Sequence, residues 1–395
     1  MAISDGLDRM NTLLTALGNP EKSFKALHVA GTNGKGSTCV MIASILEQAG
    51  YSVGLYTSPH LEIINERIQI WNGQHEMISD AKFDELASKV DNVASKTDGG
   101  LELHYFERIT AIAYLYFEEI NPDYVVLETG LGGRLDSTNT LEKPLVSVIT
   151  QVGLDHTKEL GNTIYKIVRE KAGIIKPGVP VVSQDKDITT QQIVTRVATE
   201  NGCDFVDVSS VRNKFRKYEL GMRGIHQMDN AATAVMAIRA AGIEVSESAI
   251  KEGLKKAVIP GRFEVIKDNP CWIIDGAHNP DAIQIACDAF DFVRRNKKLK
   301  KPLVIFGCMR DKNYSRMLQL MHQNLSFCDF AFVDYGNERC LDPNVLGEMF
   351  NEMGHGCTIY DTVSEACEEV QRQDYDSVLV LGSIYLAGAV RQIIL

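Results

Sequence analysis

Short runs of apolar, often β-branched residues alternate along the chain with stretches in which apolar residues recur at helical spacing. In the first part of the chain, this pattern predicts strands at residues 27–30, 53–57, 124–128 and 145–151. Helices are predicted at residues 38–48, 107–119 and 163–175. Such alternation is typical of parallel sheets with crossover helices. We therefore predict an α/β fold with a parallel-rich N-terminal sheet.

A second series of the same kind begins near residue 271. Strands are predicted at 271–275, 303–307, 330–334, 358–361 and 377–381, and helices at 281–293 and 314–323. This part of the chain is typical of a smaller, doubly wound Rossmann-like domain. Pro260 and Gly261 interrupt regular structure between the two series. We expect an N-terminal domain at 1–258, a linker at 259–269 and a C-terminal domain at 270–395.

Composition narrows the class of protein. The 395 residues, 45% hydrophobic and 24% charged, are ordinary for a globular protein of two or three domains. A net charge of −11 argues against a nucleic-acid partner, although backbone amides and one lysine can still hold a phosphate.

The nine cysteines include no Cys-x-x-Cys pair, so we expect reduced thiols. We also expect no membrane partner, no signal peptide and a cytoplasmic location, because the longest uncharged stretch, 377–390, is too short to span a bilayer.

A glycine-rich turn at 28–37, HVAGTNGKGS, follows a predicted strand and precedes a predicted helix. Glycines allow the amides of such a turn to point at phosphate oxygens, and the start of the helix favours an anion. Lys35 can reach the β- and γ-phosphates of a nucleotide, and the Ser37 hydroxyl can face a phosphate or Mg²⁺. The spacing departs from the usual phosphate-loop pattern, in part because Gly36 separates Lys35 from Ser37. The context still favours a nucleotide site that includes Gly34 over an ordinary turn.

The segment GTNGKGS resembles the nucleotide loop of the Mur-type ATP-dependent amide ligases, and most closely that of the folylpolyglutamate synthase/dihydrofolate synthase family. Further segments follow in the family's order over nearly the whole chain: TSPHL (57–61), ERI (66–68), ETGLGGRLDSTN (128–139), GLDHTKELG (153–161), REKAG (169–173), HQMDNA (226–231), PGRF (260–263), DGAHNP (275–280) and GSIY (382–385). The resemblance implies a monomeric ligase that uses ATP, Mg²⁺, L-glutamate and a folate or dihydropteroate.

Glu128 is the strongest candidate for metal chemistry. It closes an apolar predicted strand and is followed by Gly-Leu-Gly-Gly, so its carboxylate can project into a site at the carboxyl edge of the sheet. Its oxygens suit Mg²⁺. The resemblance places metal on Ser58, Glu128 and His156, and implies a second Mg²⁺ organised by a carbamylated Lys171. The residues alone favour a loop histidine at His156 and a solvated helix face at Lys171.

The second series of elements supplies further candidates, again through the resemblance. It assigns Asn230, Arg262 and Asp275 to ATP, and His278 and Ser383 to the incoming glutamate. An arginine at the turn between the domains suits this role, because planar guanidinium donors bind phosphate oxygens well. His278 lies in a turn rich in Gly, Asn and Pro, where a structural histidine bonded to the backbone is an equal alternative.

A folate site is implied by three further segments. The matching residues are Asp8 and Arg9 near the N-terminus, Phe106, and Asp136 within 128–139. Phe106 can stack on a flat heterocycle, and Asp136 can accept hydrogen bonds from its N–H groups. The aromatic residues around Phe106 recur at helical spacing, which would ordinarily indicate core packing.

Together these assignments predict that the protein forms an amide through an acyl phosphate. Lys35, Lys171 and His278 are the expected catalytic residues. ATP would phosphorylate a substrate carboxylate, and the amine of L-glutamate would then displace phosphate. The residues do not decide whether the acceptor is dihydropteroate, a reduced folate or both.

Three alternative functions fit the residues less well. A muramoyl–amino-acid ligase would need a sugar-nucleotide domain, for which the 30 residues before Gly31 leave no room. A non-catalytic nucleotide-binding regulatory module would need no second cluster such as Glu128, Asp275 and His278. A Rossmann dehydrogenase would need G-x-G-x-x-G, which the turn does not contain.

Overall fold

A computed structural model, which describes residues 4–97 and 100–395, divides the chain into two compact units. The first unit runs to Gly221 and resumes over Gln227–Val258. The second comprises Met222–His226 and Ile259–Leu395. The segment 259–269, assigned above to a linker, belongs to the second unit, and part of it forms a strand.

The first unit is an alternation of strands and helices. Its strands are β1 Ala26–Ala30, β2 Val53–Tyr56, β3 Ile68–Trp71, β4 His75–Met77, β5 Tyr124–Glu128, β6 Val146–Ile149, β7 Val181–Ser183 and β8 Phe205–Asp207. Its helices are α1 Ser4–Leu17, α2 Lys35–Gln48, α3 Asp80–Lys96, α4 Tyr105–Ile120, α5 Thr157–Leu160, α6 Ile164–Ala172, α7 Ile188–Glu200, α8 Gln227–Ala240 and α9 Glu247–Lys256.

These strands form one sheet in the order β4-β3-β2-β5-β1-β6-β7-β8. From β2 to β8, neighbouring strands are parallel, whereas β3 pairs antiparallel with both β2 and β4. The central strands are buried along their whole length, as expected for a parallel sheet covered on both faces. Helices α1, α3 and α4 share one apolar core with β2, β3 and β5.

Helix α2 is buried almost all round, because it packs against the sheet and against α8 and α9. Its apolar stretch Cys39–Ile45, interrupted only by Ser44, reflects this environment. Ser44 donates a hydrogen bond of 2.8 Å to the carbonyl of Gly253 on α9. The helix that begins at the glycine-rich turn is therefore held rigidly by its neighbours.

The second unit repeats the architecture on a smaller scale. Its strands are β9 Glu264–Asp268, β10 Cys271–Ile274, β11 Pro302–Phe306, β12 Asp329–Val333, β13 Thr358–Tyr360 and β14 Ser377–Leu381. Its helices are α10 Pro280–Lys297, α11 Tyr314–Asn324, α12 Pro343–Glu352, α13 Val363–Arg372 and α14 Ile384–Ile394. The sheet order is β13-β12-β11-β14-β10-β9, parallel except for the β9–β10 pair. The predicted α/β class with two parallel-rich sheets is confirmed.

The cysteines agree with the expectation of reduced thiols. All nine are free, and seven of them are buried. Within the described ranges, no helix combines the length and apolar character that crossing a membrane would require.

The contact between α2 and α9 generates a stability prediction. A Cβ at Gly253 would lie 2.5 Å from the Cα of Ile45, and backbone atoms cannot give way as a flexible side chain can. We expect Gly253→Val to lower the free energy of unfolding by about 1–3 kcal/mol, measured by denaturant titration. Ser248→Val, at an exposed position of the same helix, should change it by no more than about 0.5 kcal/mol. Equal effects of the two variants would contradict this packing argument.

Candidate active site

Four loops of the first unit meet at one edge of its sheet. Strands β2, β5, β1 and β6 are neighbours and run parallel, so their carboxyl ends lie side by side. The loops or strand ends there carry most of the residues predicted for the nucleotide and the metal: Ser58 after β2, Glu128 closing β5, Gly34–Ser37 after β1 and His156 after β6. Ligands of open α/β sheets bind at this edge.

The glycine-rich turn is built to receive an anion. Gly34 has φ 84° and occupies the N-cap of α2, which no side chain caps. The first amides of a helix need partners, and an uncapped start leaves them for a phosphate. The amide oxygen of the buried Asn230, on α8, fills the space that a Cβ at position 34 would need. Glycine is therefore required by both its conformation and its neighbour.

The turn is fastened to the loop that follows β6. The backbone N–H groups of Thr32 and Asn33 donate to the carbonyl of Gln151, with N···O distances of 2.7 and 3.1 Å. The Thr32 hydroxyl also bonds to the backbone of Gly153. These bonds hold the nucleotide turn beside the loop that carries His156.

Glu128 lies at the centre of this edge and is only 3% exposed. Its Oε2 accepts a hydrogen bond of 3.0 Å from the backbone N–H of Ser58, and its Oε1 lies 3.9 Å from Nζ of Lys35. Lys35 also donates to the carbonyl of Thr32 at 3.3 Å. The structure thus brings together Lys35, Ser58 and Glu128, whose assignment to MgATP stays a prediction.

The donors around Glu128 fit a hard cation. A carboxylate and the nearby Ser58 hydroxyl offer oxygen ligands, which Mg²⁺ prefers. In the described part of the chain, no three His, Cys, Asp or Glu side chains cluster as a metal site. A cation here would therefore complete its shell with water or phosphate oxygens, as Mg²⁺ commonly does.

His156 precedes α5 in a left-handed conformation, with φ 49°. Its backbone N–H donates to Oδ1 of Asp155 at 2.8 Å, and its Nε2 lies 4.0 Å from Oδ2 of the same carboxylate. Asp155 therefore fixes both the backbone and the electrostatic surroundings of this histidine. Its role as a metal ligand stays a prediction.

Lys171 does not lie on the solvated face that is usual for a lysine in a helix. It is 4% exposed, and its Nζ donates a hydrogen bond of 2.7 Å to the carbonyl of Gly31 in the nucleotide turn. The pKa of Lys171 is lowered to about 7, mainly by burial and to a smaller extent by repulsion from Lys35. A large fraction of this amine is therefore neutral near neutral pH, which makes it a nucleophile.

Asp136 is buried at the N-cap of a short 3₁₀ helix, Ser137–Thr140. Its Oδ1 accepts from the Thr138 hydroxyl at 2.6 Å, and its Oδ2 accepts from the N–H of Leu131 at 2.7 Å. Because the Thr138 proton is used in this way, the 2.8 Å contact with Nε2 of His28 requires that nitrogen to donate. Burial lowers the pKa of His28 to about 3, in agreement with a neutral ring. Burial also raises the pKa of Asp136.

Phe106 packs against the loop that follows Glu128. Its ring fills the space that a side chain at Gly130 would occupy, and its centroid lies 6.0 Å from that of Tyr56. Arg9 forms two hydrogen bonds with Glu107, with N···O distances of 2.9 and 2.7 Å. Asp8, the remaining predicted folate residue, is exposed on α1.

In the second unit, Asp275 and Ser383 follow the adjacent parallel strands β10 and β14. The Asp275 carboxylate accepts from the N–H groups of Phe263 and Ala277, at 2.8 and 2.7 Å. Burial raises its pKa, against the opposing effect of the Arg262 guanidinium. The structure therefore places Arg262 beside Asp275, both predicted for ATP.

The two residues predicted for glutamate also make local structural bonds. Nδ1 of His278 lies 2.8 Å from the carbonyl oxygen of Gly276, so Nδ1 carries a proton and donates it. Ser383 is buried, and its hydroxyl caps α14 by accepting from the N–H of Tyr385 at 3.2 Å. These bonds define the orientation of both side chains without deciding their role in binding.

Sequence reasoning missed the groups that hold the predicted residues in place. Glu107, at the third position of α4, accepts from the N–H of His104 and binds Arg9. An acid three residues after a helix start is a signal that could have been used. His28 and Thr138 left no such signal, because they are 110 residues apart in sequence.

Comparisons with known proteins agree with this geometry. Residues 29–238 match the Mur ligase middle domain, and residues 261–384 match the Mur ligase, glutamate ligase domain. The dihydrofolate synthase/folylpolyglutamate synthase of Bacillus subtilis is 37% identical, over 99% of this chain and 95% of the relative.

Two solved structures extend the comparison, and each covers 98% of this chain and 93% of its own. Escherichia coli FolC in complex with DHPP and ADP is 31% identical, with a TM-score of 0.85. The bifunctional folylpolyglutamate synthase/dihydrofolate synthase of Yersinia pestis, complexed with AMPPNP and an Mn ion, is 29% identical, with a TM-score of 0.85. The chain belongs to the Mur ligase family, within its group of folylpolyglutamate and dihydrofolate synthases. The prediction of an ATP-dependent, amide-forming ligase is confirmed.

The buried Lys171 generates a pH prediction. Its pKa is about 7 in the folded protein and near 10.5 in the unfolded chain. Between these values the unfolded chain binds a proton that the folded protein lacks, so stability rises with pH. In CO₂-depleted buffer, we expect the stability of wild type relative to Lys171→Met to increase by up to about 1.4 kcal/mol per pH unit from about pH 7 to pH 10.

The exposed Lys166, on the same helix, offers a matched control. Denaturant titration of Lys166→Met should give a stability difference from wild type that is nearly constant over this range. Parallel curves for wild type and Lys171→Met would contradict the assignment of a lowered pKa.

Proposed function

We propose that the protein joins the amine of L-glutamate to the carboxylate of dihydropteroate or a folate, using ATP and an acyl phosphate intermediate. The observation that carries this proposal is the buried carboxylate of Glu128, placed between Lys35 of the nucleotide turn and the N–H of Ser58. A cationic side chain, oxygen ligands and an uncapped helix start at one sheet edge are suited to phosphoryl transfer.

In the first step, the γ-phosphate of ATP lies at the start of α2. Amides of the turn and the ammonium of Lys35 stabilise the charge that spreads over the phosphoryl oxygens. A carboxylate oxygen of the acceptor attacks the γ-phosphorus, and the bond to the β-phosphate oxygen breaks. The products are an acyl phosphate and ADP.

In the second step, the neutral amine of glutamate attacks the acyl carbon. The amide bond forms, inorganic phosphate leaves, and the amine gives up a proton. We assign binding of the incoming glutamate to His278 and Ser383, and binding of ATP to Asn230, Arg262 and Asp275 as well as the turn. Nδ1 of His278 already donates to the Gly276 carbonyl, so a bond from this ring to glutamate would be made through Nε2.

Residues for a divalent cation accompany this site. We assign Ser58, Glu128 and His156 to Mg²⁺, on the fit of the carboxylate and hydroxyl oxygens described above. When bound, the cation would neutralise charge on the phosphates. Two cation sites and a monomeric, cytoplasmic enzyme remain part of the proposal.

We also propose that Lys171 is carbamylated in the working enzyme. Its neutral amine would attack the carbon of CO₂, form an N–C bond and release one proton, which leaves a carboxylate that could organise a second cation. The burial and lowered pKa described for Lys171 support this chemistry. Continuous electron density beyond Nζ in crystals grown with bicarbonate would support it, and a bare amine would contradict it.

The folate side of the site rests on residues around the loop after Glu128. We assign binding of the heterocycle to the surroundings of Phe106 and Asp136. We assign Asp8 and Arg9 to the same folate site. The ion pair with Glu107 ties Arg9 to the start of α4, and through that contact Arg9 helps to shape this region.

Purified protein with ATP, Mg²⁺, L-glutamate and either dihydropteroate or tetrahydrofolate should release phosphate in proportion to a product one glutamate heavier. Lys35→Ala should lower kcat by at least about 100-fold, because it removes a charge that acts in the transition state. Lys22→Ala, at an exposed position near the same strand, should leave kcat unchanged. Mass spectrometry of the two reactions decides which acceptor is used. Phosphate release without an amide product from either acceptor would contradict the proposal.

A further inference from the structure

Arg67 is a buried cation without a matching acid. The residue is 6% exposed, and only its Nε has a hydrogen-bond partner, Nδ1 of His60 at 2.9 Å. Within residues 4–97 and 100–395, the four N–H groups on its two terminal nitrogens have no hydrogen-bond or ion-pair partner. Arg9, by contrast, donates from Nε and one terminal nitrogen to the carboxylate of Glu107.

Neighbouring acids are already used by other groups. The carboxylate of Glu66 accepts three backbone N–H groups, from Leu61, Glu62 and Ile63, at 2.7–2.8 Å. One face of the guanidinium lies under the ring of Tyr105, with 5.7 Å from Cζ to the ring centroid. A ring stabilises a cation but does not neutralise it. The terminal nitrogens are not among the described side-chain atoms that are fully shielded from water, so an anion can reach them. A guanidinium held in a largely buried setting gains most from a partner of opposite charge.

The position of Arg67 indicates where that anion comes from. Its carbonyl accepts from the N–H of Thr57 at 3.1 Å, and it immediately precedes β3, whose first residue pairs with the last residue of β2. Because β3 is antiparallel to β2, its beginning lies at the same sheet edge as Glu128, about 10 Å away across two strand spacings. Tyr105 is also adjacent in sequence to Phe106 at the start of α4.

We propose that the terminal nitrogens of Arg67 bind a carboxylate of the acceptor substrate and hold it at the edge that carries Glu128. A guanidinium suits a planar carboxylate because two parallel N–H···O bonds can form at once. The ring of Tyr105 and the bond to His60 fix the plane of the guanidinium, so one orientation of the carboxylate is selected. This inference rests on the proposed function, which supplies the carboxylated acceptor.

A pair of ligands tests the contact without requiring turnover. Dihydropteroate carries the carboxylate, and its carboxamide is a neutral analogue of the same shape. Dissociation constants of both would be measured by calorimetry, on the full chain with Mg²⁺ and a non-hydrolysable ATP analogue present. Arg67→Gln should raise the dissociation constant of dihydropteroate by about 10- to 100-fold, the range expected for loss of charged hydrogen bonds.

The same variant should bind the carboxamide within about twofold of wild type, which also shows that the variant is folded. Arg67→Lys should bind dihydropteroate with a dissociation constant between those of wild type and Arg67→Gln. The variant keeps the positive charge but loses the two parallel N–H donors. Arg108→Gln is the matched control, since Arg108 is on α4 and already has its own partner, Asp91. Arg108→Gln should leave the dissociation constants of both ligands unchanged.

Other outcomes would overturn the inference. If Arg67→Gln weakens binding of dihydropteroate and of its carboxamide equally, the residue only shapes the loop. If it weakens binding of the ATP analogue and leaves that of dihydropteroate unchanged, Arg67 binds a phosphate instead of the carboxylate. If wild type binds neither dihydropteroate nor tetrahydrofolate, the proposed function fails and this inference fails with it.

Discussion

The buried carboxylate of Glu128 is the constraint on which the catalytic edge of the first unit depends. A buried charge is costly unless it is paired, so the groups that satisfy Glu128 must stay close. Those groups, Lys35 and the N–H of Ser58, belong to the loops after β1 and β2, the two strands that flank β5. The parallel order β2-β5-β1 therefore places a nucleotide turn, an acid and a hydroxyl at one point.

Local charge, rather than the charge of the whole protein, dominates this edge. The chain has a net charge of −11, and the proposed substrates are all anions, so overall electrostatics oppose their approach. Two cations, Lys35 and Arg67, lie at this sheet edge and are largely withdrawn from water. Withdrawal from water strengthens each of their interactions with an anion. Exposed acids that lie more than about 8 Å away, the screening length at physiological salt, oppose binding only weakly.

The architecture and the nucleotide turn could be predicted from the sequence. Alternating short apolar runs and helical periods indicated the strands and helices, and the strand–turn–helix context indicated the phosphate site. The side-chain partners could not be predicted in the same way. A lysine in a helix ordinarily faces solvent, but the amine of Lys171 is bonded to the turn after β1, 140 residues away in sequence. Residues 264–268 carry few apolar side chains, yet they form β9 because the edge of β10 offers backbone partners.

The central claim is that the substrate carboxylate is activated by phosphorylation at the edge carrying Glu128. Oxygen transfer from an acceptor labelled with ¹⁸O in its carboxylate tests this claim most directly. The account predicts that each amide formed is accompanied by one ¹⁸O atom in the inorganic phosphate, detected by the isotope shift in its ³¹P spectrum. Phosphate free of ¹⁸O, or label recovered in AMP, would contradict an acyl phosphate and require a different activation of the carboxylate.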